Sequence, residues 1–440
     1  MNPILSLHNA HWESPEQFAQ LDPHLRKLQK QKYVFESPLL TQFPLKIPGI
    51  YTLGGGRQIG KTTFLKQWIN YLLKSGIPPK SIAFVTGELI DDHHRLLHLM
   101  MELLEQMPPS ESLRYLIVDE VTYIKDWDKA IKFLADSGQF ENCVVVLTGS
   151  DLVLMNEARM RFPGRRGVHH QVDFHYYPLS FRDYVNLIHP QTPELSFLYE
   201  AFHNYLIHGG FLTAINDWAM HGRILPATAQ TYSDWIRGDF LKRGKKEQNL
   251  RDFIQAVLKT YGTQVTWHTL THHTAMDHPK TIQDYAELMQ SMDALFIQEA
   301  LLEHKLTAAP KKARRLFFSD PFVYHALRLW LEPTYNSLEA LKDPSILSSL
   351  VETIVINHIR RIYPTYYIKA EGEVDLAYVT KETFFPIEIK WTQQIRPQDL
   401  KQIKKYANGQ IWARVREPYQ IDRTPILPLP KALYEFESSL

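Results

Sequence analysis

Over the first 150 residues, short apolar runs alternate with stretches of helical spacing. Ile50-Tyr51-Thr52-Leu53, residues 81–86, Leu116-Ile117-Val118 with its neighbours from 113, and Cys143–Leu147 read as buried strands. Between them, apolar residues at 64, 65, 68, 69, 72 and 73 mark one helix, and a second runs over 91–106 until Pro108-Pro109 stops it. Strands separated by helices predict a parallel sheet that receives ligands at its carboxyl edge. After Pro178 the pattern turns helical over 181–188 and 195–206, and Gly209-Gly210 interrupts it as a hinge or a close helix contact. Three short helices are expected over 250–261, from 266, and over 279–289, then a strand-like run Leu295-Phe296-Ile297. Near the C-terminus, Gly372–Val379 and Phe384–Trp391 read as strands that follow a helix over 350–362. The expected organisation is an N-terminal extension over 1–40, an α/β domain with a helical part over 41–245, a helical module over 246–330 and a second α/β domain over 331–440.

Composition narrows the functional classes. The 440-residue chain carries a net charge of +1, so any nucleic-acid surface must be local. Its one cysteine, Cys143, excludes an internal disulfide and sits in an apolar run, which makes it a core residue. No apolar run approaches the ~18 residues of a membrane span, and the N-terminus has no apolar leader pattern. A soluble cytoplasmic protein with no membrane partner is the expectation. Among the histidines, the pairs His93-His94, His169-His170 and His272-His273 point to different faces, so no zinc site is expected.

The strand-to-helix junction at 54–61 brings in chemistry. Gly55-Gly56-Arg57-Gln58-Ile59-Gly60-Lys61-Thr62 fits the phosphate-loop pattern G-x-x-x-x-G-K-[ST]. Such a loop turns its N–H groups around a phosphate chain, and the following helix adds its positive end. Residues 55–62 with Thr63 are therefore the expected ATP contacts. Lys61 is the residue that reaches the β- and γ-phosphates, and Thr62 a Mg²⁺ ligand. The apolar strand that ends in Asp119-Glu120 supplies a second Mg²⁺ ligand, Asp119, and a carboxylate, Glu120, to polarise the attacking water. Thr148-Gly149-Ser150, at the end of the next strand, is either a γ-phosphate sensor or a plain turn.

The segments GGRQIGKTTFLKQW, YLIVDEVTYIKDW, VVVLTGSDLVLM, FPGRRG, YYPLSFRDY and YLIHGGFLTAI resemble, in order and spacing, the bacterial and archaeal AAA-type P-loop ATPases that carry a C-terminal nuclease-like domain of unknown function. The likeness runs from about 40 to 440. It implies a P-loop NTPase sheet domain, a winged-helix middle and a restriction-endonuclease-like C-terminal domain. It also implies a candidate arginine finger at Gly164-Arg165, with Arg166 adjacent. A finger calls for a neighbouring subunit or a closing loop, so a homo-oligomer is among the expected partners.

In the middle module, helices followed by basic Lys311, Lys312, Arg314 and Arg315 suit DNA, whereas Asp284, Glu287 and Asp293 on or beside the third helix repel phosphates. A protein-packing role stays open. In the last domain, strand alternation puts Glu388 and Lys390 on one face, with Asp375 on the paired strand. These three form the D…E-x-K pattern of metal-dependent nucleases: Asp375 and Glu388 as Mg²⁺ ligands, Lys390 orienting or activating water. Glu352 is a further candidate carboxylate. Gln402-x-x-x-Tyr406 resembles the helix that follows this site in PD-(D/E)XK nucleases. The expected function is Mg²⁺-dependent ATP binding and hydrolysis, coupled to a nuclease-like domain acting on DNA or RNA. The alternative is a nucleotide-gated interaction protein or DNA-binding regulator with an inactive nuclease fold.

Overall fold

Each strand of the N-terminal sheet sorts its side chains onto two faces, and the apolar runs are buried because both faces are covered. In the computed structural model, which describes residues 8–43, 46–109, 111–150, 155, 156, 160, 162, 164, 166, 167 and 170–436, the chain falls into two compact units, Met1–Tyr177 and Pro178–Leu440. The first unit contains β1 (Gly49–Gly54), β2 (Ile82–Thr86), β3 (Arg114–Asp119), β4 (Cys143–Gly149) and β5 (Asp173–His175). Their order across the sheet is β2-β3-β4-β1-β5, and all pairs are parallel. Leu116, Val118, Val145 and Leu147 face a core with helices α3 (His93–Gln106) and α4 (Trp127–Asp136). Tyr115, Ile117, Val144 and Val146 face the other side, where α2 (Lys61–Lys74) lays Phe64, Leu65, Trp68 and Leu72 against them.

Residues 8–43, which take in the described part of the extension expected over 1–40, supply part of that second core. Phe18, Leu25, Leu40 and Phe43 pack with Phe64 and Trp68, and α1 (Pro23–Gln29) lies within this segment. Asn9 treats the free edge of β2 as a neighbouring strand would. Its amide donates to the Phe84 carbonyl at 2.9 Å and accepts from the Phe84 N–H at 2.7 Å. His11 and Trp12 ring nitrogens meet the Ile82 carbonyl at 2.9 and 2.6 Å. These contacts occupy backbone groups that an open edge would leave for another chain. Behind them, buried Lys66 lies 3.6 Å from Asp22 and donates to the His8 carbonyl at 3.1 Å. Burial pulls its ammonium down to about 8 despite Asp22.

The helices after Pro178, grouped by sequence with the ATP domain, belong to the second unit. They are α5 (Phe181–Ile188), α6 (Leu195–His208), α7 (Leu212–His221) and α8 (Pro226–Lys242). Next come α9 (Glu247–Lys259), α10 (Trp267–Thr271) and α11 (Pro279–Ser291). They are followed by β6 (Leu295–Gln298), the short strands β7 (Leu301–Leu302) and β8 (Thr307–Ala308), and β9 (Arg315–Phe318). β6 and β9 pair antiparallel, and Val265 bridges Arg314 beside them. Helices α12 (Pro321–Leu331) and α13 (Pro344–Arg360) lead into a mixed sheet of β10 (Thr365–Lys369), β11 (Glu373–Val379), β12 (Phe384–Lys390), β13 (Gln410–Ala413), β14 (Tyr419–Ile421) and β15 (Thr424–Pro428), closed by α14 (Leu429–Phe436). The order is β10-β11-β12-β13-β15-β14, antiparallel over β10–β12 and parallel over β12, β13 and β15.

Gly209-Gly210 is a close approach. Gly209 has φ +58°, and a Cβ there would lie 1.6 Å from Asp320 Oδ1. Asp320 accepts from the Gly210 N–H at 2.9 Å and, as the N-cap of α12, from the Phe322 N–H at 2.8 Å. Burial pushes its carboxyl up to about 7 from 3.8, against those two hydrogen bonds. Gly209→Ala should destabilise the second unit by roughly 2 kcal/mol or more in denaturant unfolding. The folded state holds Asp320 protonated more firmly than the unfolded chain does. Its contribution is therefore complete below pH 3.8 and lost as pH rises through about 7. Asp320→Asn should remove that slope from the pH dependence of unfolding.

Candidate functional site

The carboxyl edge of the first sheet gathers the predicted ATP residues. β1 ends at Gly54, the loop covers 55–60, and α2 starts at Lys61, so the helix N-terminus faces the loop. Gly55 and Gly60 have φ of +149° and +99°, and a Cβ on Gly55 would stand 2.4 Å from the Tyr176 carbonyl. Buried Lys61 donates to the Gly55 and Gly56 carbonyls at 3.0 and 2.9 Å and lies 3.5 Å from Glu120 Oε1. Thr62 Oγ1 donates to Asp119 Oδ2 at 2.6 Å, and Thr148 Oγ1 to Asp119 Oδ1 at 2.5 Å. Thr148 in turn accepts from the Glu120 N–H at 2.9 Å. Glu120 is left-handed at φ +51°, which turns its side chain out of the strand. Among the remaining loop residues, Gln58 is exposed with φ +60°, Ile59 packs against the α2-side core, and Thr63 lies in the first turn of α2.

The strand-tip residues are therefore joined to the site. Ser150 Oγ donates to Glu120 Oε2 at 3.1 Å and accepts from Arg57 Nε at 3.2 Å, while the Arg57 guanidinium lies 4.9 Å from the Tyr123 ring. Sequence reasoning placed Arg57 only at phosphate and missed this relay, because loop and strand tip are 93 positions apart. Arg165 lies outside the described residues. Arg166 pairs with Asp173 of its own chain, which also accepts from Thr52 at 2.6 Å.

The second unit holds the other constellation. Glu388 and Lys390 share a face of β12, with Lys390 Nζ 2.6 Å from Glu388 Oε1 and 3.8 Å from Asp375 Oδ2. Asp375 Oδ2 also accepts from the Ile389 N–H at 2.9 Å. Together they line a cavity of about 520 Å³ that Lys369, Glu373 and the loop 262–264 complete. Burial and the neighbouring Asp375 push the Glu388 carboxyl up to about 8, with Lys390 opposing. Burial alone would lower Lys390, yet the Asp375 and Glu388 carboxylates outweigh it and raise its ammonium. Gln402 and Tyr406 do meet, at 3.2 Å, although residues 397–405 form two short helical turns instead of one helix. Gln402 Oε1 accepts from the Gly372 N–H at 3.1 Å.

Arg315 and Glu352 are the departures. Arg315, expected with Lys311, Lys312 and Arg314 to suit DNA, instead has a side chain only 4% exposed that ion-pairs with Glu352. It sits between Gln298 of β6 and the Asp375 carbonyl, and both Arg315 and Gln298 donate to that carbonyl, at 3.2 and 3.0 Å. The signal was present: Arg315 opens the run Arg-Leu-Phe-Phe, which reads as a buried strand. The rest of the basic cluster stays near the surface. Lys312 donates to the Lys369 carbonyl at 3.1 Å, and Arg314 lies over Trp267 at 4.4 Å. On α11, Asp284 pairs with Lys280 at 3.2 Å. Among the described residues, no group of three or more His, Cys, Asp or Glu is arranged to hold a metal ion, and no helix is long and apolar enough to cross a membrane.

Residues 48–185 match the family described as an AAA domain. The chain carries a P-loop ATPase domain. Residues 199–334 and 347–431 match two families described as domains of unknown function, DUF8612 and DUF4143. An uncharacterized protein of Haemophilus influenzae is 27% identical over 177 residues, 38% of this chain and 40% of that protein. One of Methanocaldococcus jannaschii is 29% identical over 137 residues, 31% of this chain and 27% of that protein. The chain thus spans well under half the length of these relatives. Similar solved structures include the Walker-type ATPase PABY2304 of Pyrococcus abyssi, 12% identical with a TM-score of 0.43, covering 63% of this chain and 91% of that one. The Aeropyrum pernix ORC1 protein in complex with DNA is 11% identical with a TM-score of 0.29, covering 65% and 87%.

Proposed function

We propose that the protein is a Mg²⁺-dependent ATPase whose turnover drives or gates a nuclease-like C-terminal domain acting on nucleic acid. The observation that carries the first half is the convergence of Thr62 and Thr148 on one buried carboxylate, Asp119, with Thr148 also accepting the Glu120 N–H and Lys61 beside the Glu120 carboxylate. Loop amides and the α2 N-terminus bind the phosphate chain, and Lys61 exchanges the Gly55 and Gly56 carbonyls for phosphate oxygens. Thr62 and Asp119, 2.6 Å apart, would hold a Mg²⁺ ion, which would neutralise phosphate charge when bound. In hydrolysis a water oxygen bonds to the γ-phosphorus, the bond to the β–γ bridging oxygen breaks, and ADP leaves with its electron pair. Glu120, positioned by Ser150, accepts the water's proton.

For the second half, the support is the helix α13, the three antiparallel strands β10–β12, the parallel β13, and D…E-x-K on β11 and β12. We read these elements as PD-(D/E)XK-like, and α9–α11 with β6 and β9 as a winged helix. Buried Glu388 Oε2 has no partner and borders the cavity, so Asp375 and Glu388 suit a divalent ion that would polarise a phosphodiester. Lys390 then orients the water. The competing reading, a nucleotide-gated binding module, is favoured by the engagement of these carboxylates with Lys390 and Arg315.

Lys61→Ala should lower ATP turnover at least ~10²-fold, and Glu120→Gln should do the same while Mg-ATP binding persists. Equal turnover by the Lys61 variant would remove the ATPase assignment. Incubating the protein with single- and double-stranded DNA and RNA in Mg²⁺ or Mn²⁺ should give cutting that Asp375→Ala abolishes. Absence of Asp375-dependent cutting on every substrate would select the binding module. Neutralising Lys311, Lys312 and Arg314 should weaken nucleic-acid binding and flatten its salt dependence.

A further inference from the structure

Two carboxylates line the C-terminal cavity, Asp375 of β11 and Glu388 of β12, and a third, Glu352 of α13, lies near enough to act on both electrostatically. On residue types alone, such a trio has ligands for two divalent ions. Arg315 changes that count. It enters from β9, outside the mixed sheet, and its guanidinium takes the space between Glu352 and Asp375: Nη2 pairs with Glu352 Oε2, and Nη1 lies 3.9 Å from Asp375 Oδ1. Three more of its five N–H groups have acceptors. Nε donates to the Gly262 carbonyl, and Nη1 to Gln298 Oε1 at 3.4 Å and the Asp375 carbonyl at 3.2 Å. A guanidinium does not deprotonate in proteins, and one held by four acceptors in a buried site has no solvated position to retreat to.

We infer that Arg315 is a resident cation in the place of a second metal ion, so that the C-terminal cavity takes a single divalent ion on Asp375 and Glu388. This rests on the reading of that cavity as a divalent-ion site. Glu352 is withdrawn from ligation by its ion pair. Glu388 Oε2 is the buried oxygen left without a partner, and it borders the cavity. Formal charge agrees. Arg315 and Lys390 leave the three carboxylates one negative charge in excess, which a single divalent ion turns into one positive charge. Two ions would leave three positive charges in a buried site. Arg315 is a positioning residue: with Gln298 it also grips the Asp375 carbonyl, which ties the ligand's backbone to the β6–β9 pair.

The test is Mn²⁺ binding to the full-length, nucleotide-free protein. Stoichiometry is read by electron paramagnetic resonance and calorimetry, and Asp375→Asn defines the equivalents that belong to this cavity. One Asp375-dependent equivalent is expected in the wild type. Arg315→Met should free Glu352 and add a second, which Arg315→Met combined with Glu352→Gln should remove again. Arg315→Lys, which keeps the charge but not the fork, should stay at one. Two Asp375-dependent equivalents in the wild type would overturn the inference whether or not any variant folds. So would a folded Arg315→Met protein with unchanged stoichiometry and affinity. No Asp375-dependent Mn²⁺ in the wild type would overturn both the inference and the divalent-ion reading beneath it, while two equivalents would leave that reading standing.

Discussion

Asp119 is the group on which the nucleotide site depends. Its buried carboxylate accepts from Thr62 at the start of α2 and from Thr148 at the end of β4, so one side chain ties the carboxyl ends of two adjacent strands to the phosphate-loop helix. Thr148 passes the constraint on by accepting the Glu120 N–H. Ser150 and Lys61 then hold the Glu120 carboxylate from two sides. A buried carboxylate is costly unless its oxygens are satisfied. Here the donors that satisfy Asp119 are parts of the same site, so the stability of the sheet edge and the geometry of the chemistry share the same bonds.

The second unit applies the same logic with charge. Lys390 answers the carboxylates of the β11–β12 face from within the sheet, and Arg315, from β9, pairs with Glu352 of α13 and approaches Asp375. The helical module and the mixed sheet therefore meet at a cluster of buried, paired charges. Bridges from Ala300 to Tyr367 and from the Tyr367 hydroxyl to the Ala313 carbonyl reinforce that meeting.

Much of this was legible in the chain. Strands β1 to β4 declared themselves because a parallel strand covered on both faces must be apolar throughout, and the phosphate loop because its glycines answer a backbone demand. Asp119, Glu120, Glu388 and Lys390 could be assigned to elements by position and alternation. Less legible were residues 8–43. Their role comes from Asn9 binding the backbone of Phe84, 75 positions away, and a side chain's hydrogen bond to a distant edge strand leaves no periodic trace. Gly209-Gly210 looked like a hinge because spacing shows only that Cβ atoms are missing. The tertiary structure supplies the Asp320 carboxyl that leaves no room for a Cβ at Gly209 and the Leu179 backbone that leaves none at Gly210.

The sequence by itself determined the parallel α/β class, the phosphate loop with its Asp-Glu partner, and the D…E-x-K face of β11 and β12. Each is a local property: a period, a spacing, or a residue type at the end of a run. Only the tertiary structure decided that Ser150 links Arg57 to Glu120, that Arg315 leaves its basic cluster to neutralise Glu352, and that the N-terminal segment completes the core. Those are long-range pairings, set by which backbone groups and charges remain unsatisfied once the strands and helices have packed.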